Sequence, residues 1–160
     1  MVGGLKVPTP SRTNTILLAC MSLVNGLFHR DPAGGHVCDI AAGLAGRSVE
    51  ELAELAEEAD RQGLRNTLGL GLRSARLLLG LDARVGGMER AVMAHVADAE
   101  LIGMILRPWS SAIRWQRRSR TLWDLCDNES AYLKEICWKV AAELCYSRSS
   151  GRTSVGRCPE

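Results

Sequence analysis

Arginine and tryptophan are interleaved in one short stretch of the chain, residues 107–120, which we call the basic segment. It contains Trp109 and Trp115 and no acidic residue, and its basic residues are Arg107, Arg114, Arg117, Arg118 and Arg120. A guanidinium group pairs with phosphate through two parallel hydrogen bonds, and an indole ring can stack on an unpaired base. The basic segment therefore predicts a nucleic-acid site, with the arginines on phosphates and Trp115 stacking or packing.

The same residues have a second interpretation that needs no ligand. If the basic segment belongs to an amphipathic helix, its arginines are simply solvated. Its apolar positions would then pack in the core, namely Trp109, Ala112, Ile113 and Trp123. An acidic protein or a membrane surface is a third possible partner for so many arginines.

Acidic residues are concentrated elsewhere, between residues 50 and 60, where no basic residue occurs before Arg61. Four carboxylates form the predicted outer face of one helix: Glu50, Glu54, Glu57 and Glu58. Such a face is commonly only a solvated surface. The sharper hypothesis is self-association, in which it docks on the basic segment of a neighbouring copy and so builds rings or filaments. A pairing within one chain is equally compatible with the sequence.

Residues 39–55 resemble a helix-turn-helix in spacing, with small residues at Ala42 and Gly46. The helix that would enter the DNA groove presents mostly carboxylates, which phosphates repel. Sequence-specific DNA reading by this helix is therefore disfavoured.

Catalytic and metal chemistry have little support in the sequence. His29, His36 and Cys38 invite a zinc proposal, but no second close pair of ligands accompanies them. His95 lies between apolar residues, which is typical of a structural histidine. We therefore predict a protein without enzymatic activity, metal or cofactor.

The composition favours helical structure and an intracellular location. Leu and Ala are the commonest residues, against one Phe and two Tyr, and no proline occurs between Pro32 and Pro108. Most of the six cysteines fall in apolar helical patterns, which indicates reduced intracellular thiols. The apolar run from Ile16 to Val24 is far shorter than the roughly 20 residues of a membrane span, and a buried first helix explains it better than a signal peptide.

Capping residues and glycines divide the chain into a series of predicted helices. Ser48 and Glu51 have the spacing of a capping box, and Gly63 is a natural helix terminator. Thr13 is a candidate cap for the first helix, and Asp127 or Asn128 for the last. The expected helices cover residues 14–28, 37–45, 49–62, 64–80, 88–106 and 109–126, with a last one ending near 146.

The predicted fold class is all-α, a compact irregular bundle of six or seven helices. It has a flexible arm over residues 1–13, a single helical domain over 14–147 and a disordered tail over 148–160. The function we expect is binding of nucleic acid, RNA before DNA, by a homo-oligomer without a transmembrane segment. A viral or mobile-element structural or accessory protein would have this character. The alternative is an adaptor or regulator that uses a leucine-rich groove and an acidic partner.

Overall fold

Six helices have bounds in the structure, and the first four follow the local signals in the sequence closely. The computed structural model describes residues 10–81, 92–130, 132–134, 136–138, 140 and 141. The helices are α1 (Arg12–His29), α2 (Gly34–Leu44), α3 (Val49–Gln62), α4 (Arg65–Leu79), α5 (Asp98–Leu106) and α6 (Arg118–Leu125). These described residues contain no strand, and the predicted all-α bundle is confirmed.

The chain divides into two compact units, Met1–Asp127 and Asn128–Glu160, and each is described by itself. The first unit contains all six helices. In the second, the described residues from 129 to 141 are helical, and the carbonyl of Asn128 accepts a hydrogen bond from the Tyr132 N–H at 3.1 Å. Parts of several predictions fall outside the described residues: most of the arm, the start of the helix over 88–106, the end of the last helix near 146, and the tail over 148–160.

Side chains cap the helices where the sequence offers them. At α3 the capping box is confirmed, because the Ser48 hydroxyl accepts from the Glu51 N–H while the Glu51 carboxylate accepts from the Ser48 N–H at 2.8 Å. Gly63 ends this helix with φ of 65°. At α1 the prediction was two residues late, since Ser11 is the cap and the helix begins at Arg12. The last two positions of the predicted arm are therefore helical.

A distant carboxylate caps α4. Leu64 stands at the N-cap position and has no polar side chain, so the first amides of the helix need another acceptor. Asp127 supplies it: its two oxygens accept from the N–H groups of Arg65 at 2.8 Å and Asn66 at 3.1 Å. The alternative that Asp127 caps the last helix is therefore wrong.

The core of the first unit is formed where α1, α2 and α4 pack against one another. Its largest fully buried side chains include Ile16, Leu23, Ile40, Leu68, Leu72 and Leu101. Helices α1 and α4 are in close contact at Gly71, where an added Cβ would overlap the Cys20 sulfur of α1.

The predicted helix over residues 88–106 is wrong in its described first part. Residues 92–97 form turns, and α5 begins only at Asp98. The cause is Arg73 of α4, whose buried guanidinium donates to the carbonyls of Val92, Met93 and Val96 at 2.7–3.0 Å. In this turn the three carbonyls accept hydrogen bonds from the Arg73 guanidinium instead of forming the regular backbone hydrogen bonds of a helix.

The predicted helix over residues 109–126 is also wrong in its first half. Residues 108–117 form turns and extended backbone, and α6 begins at Arg118. The Trp115 Nε1–H donates to the Pro108 carbonyl at 3.1 Å, which folds the loop back on itself. Because that tie joins residues seven apart, it competes with a regular helix between them.

Candidate nucleic-acid interface

The basic segment is a loop followed by the first turn of a helix. It starts at Arg107, which caps the carboxyl end of α5, and its last residues open α6. Pro108 is buried, and Ile113 packs against the core beside Gly103 of α5. Two ordered helices and these internal contacts therefore anchor the loop.

Trp115 is half-buried and has two defined partners. Its indole N–H is bound to the Pro108 carbonyl, and its ring packs against the core. The guanidinium carbon of Arg30 lies 5.1 Å from the ring centroid, within cation–π range. This stacking brings Arg30, which follows α1, to the basic segment.

Four arginines of the basic segment are exposed and pair with no carboxylate among the described residues. They are Arg107, Arg114, Arg117 and Arg120. The side chain of Arg118, the fifth arginine of the predicted site, is not described. Arginines elsewhere are engaged: Arg61 with Glu58, Arg65 with Asp60, and Arg73 with Asp98.

The exposure of the tryptophans agrees only in part with either interpretation of the sequence. Trp109 is 72% exposed and Trp123 is 55% exposed, so the prediction that they pack in the core is wrong. Ala112 is exposed as well, and of the proposed apolar positions only Ile113 packs against the core. Trp115, which the sequence assigned to stacking or packing, is half-buried, whereas Trp109 offers an indole to solvent.

A small cavity of about 150 Å³ opens beside Trp115. It lies between the end of α1, the middle of α5 and the start of α6. Its lining residues are Leu27, Phe28, His29, Arg30, Met104, Trp115, Gln116 and Thr121. Apolar walls and several polar groups thus meet next to the basic segment.

The acidic face of α3 is partly used within the chain. Glu58 pairs with Arg61 and accepts a hydrogen bond from Gln62. Glu50, Glu54 and Glu57 remain exposed. At the first turn of the helix, a hydrogen bond from the Ser48 side chain, and then one from the backbone, lowers the pKa of Glu50. That carboxylate is therefore held in its charged form near the helix amino terminus.

The remaining candidate ligands are dispersed. The described residues contain no group of three His, Cys, Asp or Glu side chains arranged to hold a metal ion. None of the described cysteines forms a disulfide; Cys20 is buried, whereas Cys38 and Cys137 are exposed despite their apolar sequence context. His95 lies with its Nε2 3.4 Å from the Asp124 Oδ2, so its partner is on α6.

None of the described helices is both long and apolar enough to cross a bilayer.

Sequence reasoning missed Arg30, His29 and Gln116 as members of this region. Arg30 and His29 precede the basic segment by more than 75 positions, and only the packing of α1 beside the loop brings them to it. Gln116 lies inside the basic segment, but nothing in its spacing distinguishes it from a solvated residue. Comparison with protein families, curated proteins and solved structures finds no match to this chain.

Proposed function

We propose that this chain is a non-enzymatic, self-associating protein that binds single-stranded nucleic acid, RNA in preference, through the basic segment. The observation that carries the proposal is a group of exposed arginines that pair with no described carboxylate: Arg107, Arg114, Arg117 and Arg120. Their charge is not neutralised by the described residues, so it is available to phosphate. Neutralising phosphates releases condensed counterions, which drives binding to any polyanionic strand.

An exposed indole supports a single strand over a duplex. Bases in a duplex are already stacked on each other, whereas an unpaired base can stack on an aromatic side chain. Trp109, in the same loop as the arginines, is the most exposed of the large apolar side chains of the described residues. We therefore place the stacking contact at Trp109 and give Trp115 the role of holding the loop.

The core arrangement favours this proposal over the adaptor with a leucine-rich groove. Most leucines of α1, α2 and α4 are buried against one another, as Leu17, Leu44 and Leu72 illustrate. Few of them are available to a partner. The described side chains of the basic segment, by contrast, are exposed except at Pro108, Ser110, Ile113, Trp115 and Gln116.

Self-association rests on charge complementarity between two surfaces. Glu54 and Glu57 border a polar groove of about 550 Å³ together with Ser11, Thr13 and Asn14 of α1 and its cap. A second copy could seat its basic segment there. Since that contact uses the same arginines as RNA, we expect RNA to dissociate oligomers of this kind.

Fluorescence anisotropy of a labelled single-stranded RNA tests the binding proposal. We expect micromolar or tighter binding at low salt, and strong weakening in the double variant Arg114→Gln/Arg117→Gln. The matched control is Arg12→Gln/Arg65→Gln, which removes the same charge from two exposed arginines outside the basic segment and is expected to bind like the wild type. Replacing Trp109 by Ala is expected to cost about 1–3 kcal/mol of binding free energy, a typical value for one stacked base.

The outcomes separate the candidate partners. No RNA binding at low salt would contradict the proposal and direct attention to an acidic protein. Equal weakening in both double variants would show that only the net charge matters. For self-association, sedimentation velocity should show smaller species for Glu54→Gln/Glu57→Gln than for the control Asp39→Asn/Glu129→Gln, which alters two other exposed carboxylates.

A further inference from the structure

The cavity beside Trp115 has the size of one small ring. Its volume is about 150 Å³, well below the roughly 300–1,000 Å³ of pockets for drug-sized ligands. An apolar cavity of about 150 Å³ can hold a benzene molecule, which is a single six-membered ring. A monocyclic ligand therefore fits this space with more room than a bicyclic one.

The walls of the cavity combine apolar surface with polar side chains. Phe28, Met104 and Trp115 supply the apolar part. Three other lining side chains make no hydrogen bond to any described residue: His29, Arg30 and Gln116. Gln116 is half-buried and neither of its amide atoms is fully buried, so water or a ligand at the cavity can supply partners to its donors and acceptor.

We propose that this cavity takes a single pyrimidine base from the strand bound at the basic segment, which makes the interface base-selective. The proposal rests on the proposed function, since the strand must be present to deliver the base. A pyrimidine is one six-membered ring with apolar faces and a polar edge. That combination matches apolar walls beside an amide that can both donate and accept.

The surroundings of the cavity favour a nucleotide in a strand over a free base. Arg30 lines the cavity and its guanidinium carries several N–H donors, and the exposed Arg114 and Arg117 flank the lining residues Trp115 and Gln116 in sequence. A base in the cavity leaves its flanking phosphates among these arginines. A free mononucleotide makes fewer of those phosphate contacts and is expected to bind more weakly.

Anisotropy with homopolymeric strands tests the proposal. Labelled oligouridylate, oligocytidylate and oligoadenylate of equal length are titrated at one salt concentration, and uridine monophosphate competes in a separate titration. We expect the pyrimidine strands to bind at least about ten-fold more tightly than oligoadenylate, and the mononucleotide to compete poorly. Tight mononucleotide binding would point to a free nucleotide as the ligand and overturn the strand proposal.

Two cavity variants separate base selection from other causes. Gln116→Ala removes the amide from a partly exposed position, and Thr121→Leu extends a buried side chain at the cavity wall while keeping a helix former. Both are expected to bring the ratio between pyrimidine and adenine strands close to one, with binding still dependent on salt. The control Gln62→Ala makes the same truncation on α3 and should keep the wild-type ratio.

Each result has a defined meaning. Because adenine strands are themselves stacked, a pyrimidine preference could arise without the cavity, but it would then persist in Gln116→Ala and in Thr121→Leu. Persistence in Gln116→Ala, which is not expected to disturb the fold, overturns the inference. Salt-dependent binding without any base preference overturns it too and leaves the proposed function intact, whereas absence of binding to every strand contradicts both.

Discussion

At the scale of single residues, arginine has two opposite roles in this molecule. Arg73 is only 7% exposed and satisfies three backbone carbonyls and Asp98. Arg114 and Arg117 are exposed and satisfy no described carboxylate. The first kind determines the fold, and the second leaves charge available to a partner. Side-chain type alone therefore says little about role, since the difference lies in the acceptors around each guanidinium.

Replacing Arg73 by Met is expected to lower the free energy of unfolding by about 3–5 kcal/mol, as when one partner of a buried charged contact is removed. The physical reason is that the carbonyls of Val92 and Val96 lose their donor, while the Met93 carbonyl keeps only its bond from the Val96 N–H. Urea unfolding followed by circular dichroism measures the loss. The surface control Arg65→Met, which breaks only an exposed pair with Asp60, should cost less than about 1 kcal/mol. An equal loss in both variants would contradict this role for Arg73.

Cys20 is expected to be the least reactive of the described thiols. Burial disfavours the thiolate and raises the pKa of Cys20 to about 12, whereas Cys38 is exposed. Since the thiolate is the reactive form, iodoacetamide at pH 8 should alkylate Cys38 and leave Cys20 intact in the folded protein. Mass spectrometry of the digested protein checks this, and rapid alkylation of Cys20 without denaturant would contradict the burial.

The same shift predicts how stability depends on pH. In the unfolded chain the Cys20 thiol ionises near its usual pKa, while in the folded chain it keeps its proton until pH about 12. Because the folded state then binds more protons, the free energy of unfolding falls as pH rises above that usual value. We expect a steeper alkaline decline in the wild type than in Cys20→Ala, and equal slopes would disagree with this account.

At the scale of elements, the contact between α1 and α4 depends on Gly71, because glycine has no side chain. A Cβ at Gly71 would overlap the Cys20 sulfur and come within 3.3 Å of the Ile40 Cδ1. We expect Gly71→Ala to destabilise by about 1–3 kcal/mol as an overpacked core position, although Ala is the better helix former. In α2, Gly35 has open space around it, so Gly35→Ala should be neutral or stabilising by up to about 1 kcal/mol.

A double-mutant cycle assigns the clash to its partner. In a Cys20→Ala background the sulfur is absent, so adding Gly71→Ala should cost less than half as much as in the wild type. Thermal or urea unfolding of the four proteins gives the coupling. If Gly71→Ala is harmless in the wild type, the helices are not in close contact at this position.

Local signals were sufficient for some elements and insufficient for others. Ser48, Glu51 and Gly63 act within a few residues of the helix ends they define, so the bounds of α3 could be predicted from sequence. The turn over residues 92–97 depends on Arg73, and the cap of α4 depends on Asp127, which is more than 60 positions away. Spacing cannot reveal such long-range hydrogen bonds, and apolar composition alone favoured a longer helix in that region.

The candidate site, too, could be predicted from the sequence only in part. Its arginines could be found from composition, because they are concentrated in one short run without acidic residues. Their conformation could not, because the tie between Trp115 and Pro108 is a tertiary feature of the loop. Arg30 and the cavity required the packing of α1 beside α5 and α6. The exposure of Trp109, on which the stacking proposal depends, also follows from the loop conformation and not from its sequence.

At the scale of the whole molecule, a small net charge of +2 conceals a marked separation of charge along the sequence. Carboxylates are concentrated on α3, and arginines that pair with no described carboxylate are concentrated in the basic segment. Such a pattern suits electrostatic binding to a polyanion better than the net charge suggests, because binding depends on local charge. It also makes the central claim measurable, since phosphate contacts have a defined response to salt.

The most direct test is the salt dependence of RNA binding, measured as the slope of log Kobs against log salt. For a single strand, each phosphate contact that is lost should reduce the magnitude of this slope by about 0.7. The account predicts that Arg114→Gln/Arg117→Gln reduces it by about 1.4, the effect of two such contacts, while Arg12→Gln/Arg65→Gln leaves it unchanged. An unchanged slope in the first variant, or an equal reduction in both, would contradict phosphate binding at the basic segment.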